Sequence, residues 1–198
     1  MEKLTWSNPQ EFNSISYKCG YCGESLASQK GYTGYSISGS VNHPVFICIC
    51  HVCTRPTFFD FNKNQTPGAI FGNKVNDIPD TSVSELYDEA RRATGASCYT
   101  SAVLSCRKLL MHIAVSKGAN PGETFVKYVN YLVDNHYVPP DAKDWVDHIR
   151  KKGNEATHEI VIMKQEDAQE LLSFIEMILK VIYEFPALIK RKNSPPST

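Results

Sequence analysis
The sequence predicts an α+β fold, with a small β module at the N-terminus and an all-α bundle of about five helices after it. Two observations carry this. Cysteines sit in two C-x-x-C pairs, Cys19/Cys22 and Cys50/Cys53, among short β-type runs. From Ser82 onward the apolar residues recur at helical spacing.

The β module comes first. Up to about Asn76 the chain is rich in Gly, Ser, Tyr, Phe and Cys. Tyr32 to Ser38, Val45 to Cys50 and Thr57 to Phe61 cluster β-branched and aromatic residues between Gly, Asn and Pro. Asn62 to Asp80 holds Pro67, Gly68, Gly72, Asn73 and Pro79, and reads as a linker or an ordered connecting loop.

The helices follow. Ser82 and Glu85 have the form of a capping box, and the first helix stops at Gly95. A second, from about Ala96 to Gly118, lines up Ala102, Cys106, Leu109 and Ile113 on one stripe. A third, about Glu123 to Asn135, turns Phe125, Tyr128, Val129 and Leu132 inward. A fourth starts after Pro139-Pro140 and runs to Lys152. The last runs from about Gln165 to Phe185, with Leu171, Leu172, Ile175, Ile178, Leu179 and Ile182 apolar. The polar tail KRKNSPPST reads as disordered. The implied domains are 1–76, 77–186 and a tail, 187–198.

Charge excludes little but sets a frame. Lys plus Arg equals Asp plus Glu at 21 each, so no strong field steers a polyanion to this chain. Up to Asn76 there are six basic and four acidic residues. No apolar run approaches the roughly 20 residues that span a bilayer, and the N-terminus lacks the apolar core of a signal peptide. A cytoplasmic location is the expectation, and there paired cysteines read as metal ligands before disulfides.

The spacing gives those ligands a geometry. Two residues between cysteines let one tight turn aim both sulfurs at one point. Two such turns close a tetrahedral S4 shell, which suits zinc in a ribbon-like module. Gly23 after the first pair tolerates a positive φ. The expected ligands are Cys19, Cys22, Cys50 and Cys53. A shell of four thiolates is structural, because it leaves no position for a reacting water. Cys48 lies two residues before Cys50 and competes for its place; His43 and His51 are further candidates. Cys98 and Cys106 read as small core residues on a helix interior. Trp6 and Trp145 also read as core.

One helical stretch carries other chemistry. Arg150, Asn154 and His158 are spaced by four and share a face if the helix continues through Gly153. If it breaks there, Asn154 caps a new helix. His moves protons near neutral pH, and Arg holds a phosphate. A buried hydrogen-bond network explains the same spacing, and spacing alone favours it. His112, His136 and His148 have no evident partners.

Three stretches resemble a bacterial family described as domain of unknown function 4145. They are Ser84-Glu85-Leu86-Tyr87-Asp88-Glu89-Ala90, then Ala102 to Leu110 with Arg107, and Ile149-Arg150-Lys151-Lys152-Gly153-Asn154-Glu155-Ala156-Thr157-His158. The resemblance covers about Ile78 to Pro186. That family is similar to HEPN domains, helical bundles of prokaryotic defence and toxin systems. The resemblance implies either a metal-independent endoribonuclease or an inactive interaction module. In the first, Arg150 and His158 of two subunits act across a homodimer. In the second, the ribbon and bundle grip a protein or RNA partner. Two departures favour the non-catalytic reading. Seven residues separate Arg150 from His158, more than in the active signature, and Met111 stands where the family usually has Glu.

Overall fold
A computed structural model describes residues 3–38, 43–139, 145, 149 and 161–193. The chain forms two compact units. One is Met1–Phe71 with Gly95–Ser97, and the other is Gly72–Thr94 with Cys98–Thr198.

The first unit is a five-stranded antiparallel sheet in sequence order: β1 (Gln10–Lys18), β2 (Ser25–Gly34), β3 (Val45–Ile49), β4 (Pro56–Phe59) and β5 (Gln65–Thr66). The register pairs Tyr17 with Leu26, Phe46 with Phe59 and Cys48 with Thr57. Alternation then puts Tyr17, Leu26, Cys48 and Phe59 into one small core with Cys19 and Cys50, and Phe12, Ile15 and Phe46 pack against it. Strand β1 escapes the pattern reading of the sequence. Its ladder shifts register between Glu11 and Ile15, so polar Asn13 and Ser14 interrupt the alternation.

The second unit is helical. Helix α1 (Thr81–Gly95) leads into α2 (Tyr99–Ser116), α3 (Phe125–Asp134) and α4 (Gln165–Leu179). Helix α4 continues through a π-helical turn (Lys180–Glu184) into a last stretch, Phe185–Asn193. The described residues thus carry four helical rods where the sequence predicts about five. The expected fourth, beyond Pro140, lies outside them apart from Trp145 and Ile149, which are both helical. Ile149 is buried, and Trp145 meets Phe174 edge-on at 5.1 Å.

Helix α2 packs against α3 and α4. Its stripe Ala102, Cys106, Leu109, Ile113 is buried, as are Phe125, Tyr128, Val129 and Leu132 of α3. Leu171, Leu172, Ile175, Ile178 and Leu179 complete the core; Ile182 is only half-buried in the π turn. Gly118, at φ +109°, follows α2. Thr124 caps α3, accepting from Lys127 N. Three details depart from the sequence reading. Asp80, not Ser82, caps α1: its carboxylate accepts from Ser82 N at 2.8 Å, because an ionised oxygen just before the first helical residue outcompetes the hydroxyl. Cys98 is exposed, since it precedes α2 rather than lying within it. The last helix runs past Pro186 to Asn193; Pro186 sits just after the π turn, where the regular ladder is already interrupted.

The connector between the units is tied down within the helical one. Asn73 N and Nδ2 donate to the two oxygens of Glu176 at 2.8 and 2.9 Å. Asn76 N donates to Glu184 at 2.6 Å, and Arg191 forks onto Asp77. Among the described residues no helix is long and apolar enough to cross a membrane.

Candidate metal centre
Two turns of like construction face each other at one end of the sheet. In the first, Gly23 N donates to Cys19 O at 2.9 Å and Cys19 N to Glu24 O at 2.8 Å. In the second, Thr54 N donates to Cys50 O at 2.8 Å and Cys50 N to Arg55 O at 3.0 Å. Each turn needs a left-handed residue immediately after its second cysteine. Gly23 supplies it at φ +77°, and Thr54, a β-branched residue, at +61°.

Thr54 is held there from outside the turn. Trp6 Nε1 donates to its carbonyl at 2.7 Å, and Leu4 N to its hydroxyl oxygen at 2.6 Å. Trp6 is therefore half-buried at a clamp rather than in the core. The first turn has its own support. Gln65 Nε2 donates to Lys18 O and Pro67 O. A Cβ on Gly20 would stand 2.6 Å from the carbonyl oxygens of Pro67 and Gly68, so only glycine lets that loop lie so close.

The four sulfurs of Cys19, Cys22, Cys50 and Cys53 all lie within 4.8 Å of one another, close enough to hold a metal ion. Cys19 Sγ is 3.7 Å from Cys53 Sγ, and Cys22 Sγ is 3.8 Å from Cys50 Sγ. Both distances are far too long for a disulfide, whose sulfurs sit about 2.05 Å apart. They match a tetrathiolate tetrahedron: a metal–sulfur bond of about 2.3 Å gives edges of about 3.8 Å. The donor set therefore fits zinc.

Electrostatics point the same way. Burial pushes the Cys22 and Cys53 thiols up. Burial acts most strongly on Cys50 too, but the amides of Cys53 and Val52 together with the Cys53 and Cys22 sulfurs outweigh it and hold that thiol down. Tyr21 N also reaches Cys19 Sγ, at 3.4 Å. Four thiols in contact do not ionise together without a cation among them; a dication is the charge that lets them.

The competing candidates fall away by position. Cys48 is fully buried in the sheet core, and burial pushes its thiol up to about 11. It does share a strand with the site, but its place is beside Tyr17 and Phe59 in the apolar cluster. His43 and His51 are exposed and outside the sulfur group. Sequence reasoning missed Trp6, Thr54 and Gln65. Thr54 alone had a signal, since it occupies the position after the second pair that Gly23 occupies after the first.

Arg150, Asn154 and His158 lie outside the described residues. Several charged groups of the helical unit are engaged in contacts within it. Arg91 pairs with Asp88 at 2.7 Å and donates to Gly72 O, and Glu176 holds Asn73 and Lys180. His112, given no partner by the sequence, stands 3.4 Å from Asp80, with both side chains about half exposed.

Comparison with known proteins yields one match. A family model described as Domain of unknown function (DUF4145) covers residues 88–194. No curated protein and no solved structure matches the chain.

Proposed function
We propose that this chain, which belongs to the DUF4145 family by a match over more than half its length, is a zinc-stabilised interaction protein. In this reading the ribbon-like N-terminal module carries one structural Zn2+ on Cys19, Cys22, Cys50 and Cys53. The helical unit, HEPN-like by resemblance, serves as a non-catalytic adaptor in a prokaryotic defence or stress system. The observation that carries it is the closed donor set. Four sulfurs within 4.8 Å of one another, two pairs of them at 3.7 and 3.8 Å, would fill every position of a zinc ion, so the metal would supply folding energy and no Lewis-acid site. The charged pairs around Asp88, Arg91 and Glu176 support the same reading, because they are spent on internal contacts.

The test is an RNA cleavage assay with purified protein in EDTA, run beside Arg150→Ala and His158→Ala. The adaptor reading expects no cleavage by folded wild-type protein. Cleavage leaving 2′,3′-cyclic phosphate ends, lost in both variants, would replace it with a metal-independent endoribonuclease in which Arg150 binds the phosphate and His158 moves the proton.

A further inference from the structure
Among the described residues two arginines are buried in the helical unit, and they differ in one respect. Arg91 has the carboxylate of Asp88. Arg107 is 7% exposed, and its Nη1 has no hydrogen-bond partner among the described residues. Burial alone acts on its ionisation, and it holds the pKa below the usual arginine range. Arginine does not discharge by losing its proton, so a buried guanidinium needs a counter-charge.

Among the described residues its specific contact is with an aromatic face. Arg107 Cζ lies 4.1 Å from the ring centroid of Phe125. A guanidinium held over a ring face still carries N–H donors that can serve a further partner. Phe125 is also the first residue of α3, after the Thr124 cap. The positive end of the helix dipole therefore stands beside a buried cation, which raises the cost of leaving that cation unpaired. Glu123, at the same turn, is already taken by Lys127 Nζ at 2.6 Å. Two independent features, a buried Arg107 Nη1 unpartnered among the described residues and the N-terminus of α3 that Phe125 opens, both favour negative charge.

We propose that Arg107 and the first turn of α3 form an oxyanion-binding site, which takes the phosphate or carboxylate group of a ligand in the edge of the guanidinium. Two planar N–H donors match two oxygens of either group. The site lies in the helical unit and needs no metal, so it stands or falls apart from the zinc module.

The experiment is thermal unfolding of the full chain, zinc-loaded, in chloride buffer with added inorganic phosphate or acetate at equal ionic strength. Wild type, Arg107→Met and Arg107→Lys are compared, with phosphate binding read by calorimetry. Without oxyanion, Arg107→Met is expected to melt above wild type, since it removes an unpaired buried charge at similar volume. Phosphate at ten times its dissociation constant should raise the wild-type midpoint by about 4 °C and leave Arg107→Met unmoved. Arg107→Lys keeps the charge without the fork, and should bind at least about tenfold more weakly. A response to phosphate alone assigns a phosphoryl ligand; a response to acetate assigns a carboxylate. If neither anion moves the wild type, or moves all three proteins equally, Arg107 is a packing residue and the proposal fails.

Discussion

The two units of this chain solve the same problem with different means. The sheet unit buries six residues in its apolar cluster, and three of them are cysteines. The helical unit buries Tyr87, Leu109, Leu110, Ile113, Leu132, Phe174 and further large side chains almost completely. A core of the first kind is too small to offset chain entropy, so the module depends on a cross-link of some sort. A core of the second kind suffices by itself. The contrast makes the proposed metal the element on which the fold of the sheet unit turns, while the helical core is the larger of the two.

The sharpest way to break this contrast is to remove the cross-link. A strong chelator, or Cys19→Ser, should unfold the sheet unit and leave the helical unit standing. The loss is on the order of 10 kcal/mol at neutral pH, the scale of structural zinc. Far-UV circular dichroism should show the strand signal go while the helical signal and its melting transition persist. One shared transition would mean the units are not energetically distinct.

The mirror experiment targets packing. Phe174→Ala empties a fully buried site beside Trp145 and should cost the helical unit about 4 kcal/mol, with zinc content unchanged. Chemical denaturation with metal quantitation reads both.

A smaller effect concerns pH. Burial alone would raise the Glu176 carboxyl, but Lys180 and the N–H groups of Asn73 outweigh it, and its pKa is lowered. A carboxyl depressed in the folded state stabilises above its unfolded pKa of about 4.3 and loses that contribution as pH falls through the folded value. Glu176→Gln should therefore lower helical stability by about 2 kcal/mol at pH 7 and make little difference in acid below both values. Equal effects at both pH values would remove Glu176 from the role of connector clamp. The smallest expected effect is at the α3 cap, where Thr124→Ala should cost about 1 kcal/mol in denaturant titrations.

Much of this was legible in the sequence, for reasons that differ between the units. Helical periodicity found the buried stripes of α2, α3 and α4 because burial there follows a single period. The sulfur site was legible because the C-x-x-C spacing is itself the geometry of the turn. What pattern reading could not see depended on contacts distant in sequence. Trp6 clamps Thr54 across 48 positions, and Asn73 meets Glu176 across 103. Strand β1 was hidden by its own bulge. Cap choice at α1 was a competition between two neighbouring oxygens, one of Asp80 and one of Ser82, that only geometry decides. Arg107 showed in the sequence as a helix residue; that it would be buried with its Nη1 unpartnered among the described residues did not.

The central claim is that one zinc ion on four thiolates holds the sheet unit. It is tested most directly by metal content, measured on native protein and on cobalt-substituted protein. The account predicts one zinc per chain, retained through gel filtration and lost in Cys22→Ser and in Cys53→Ser. It also predicts an absorption spectrum of tetrahedral tetrathiolate Co2+ after exchange. Protein that carries no metal, yet keeps the N-terminal sheet folded in chelator, would contradict it.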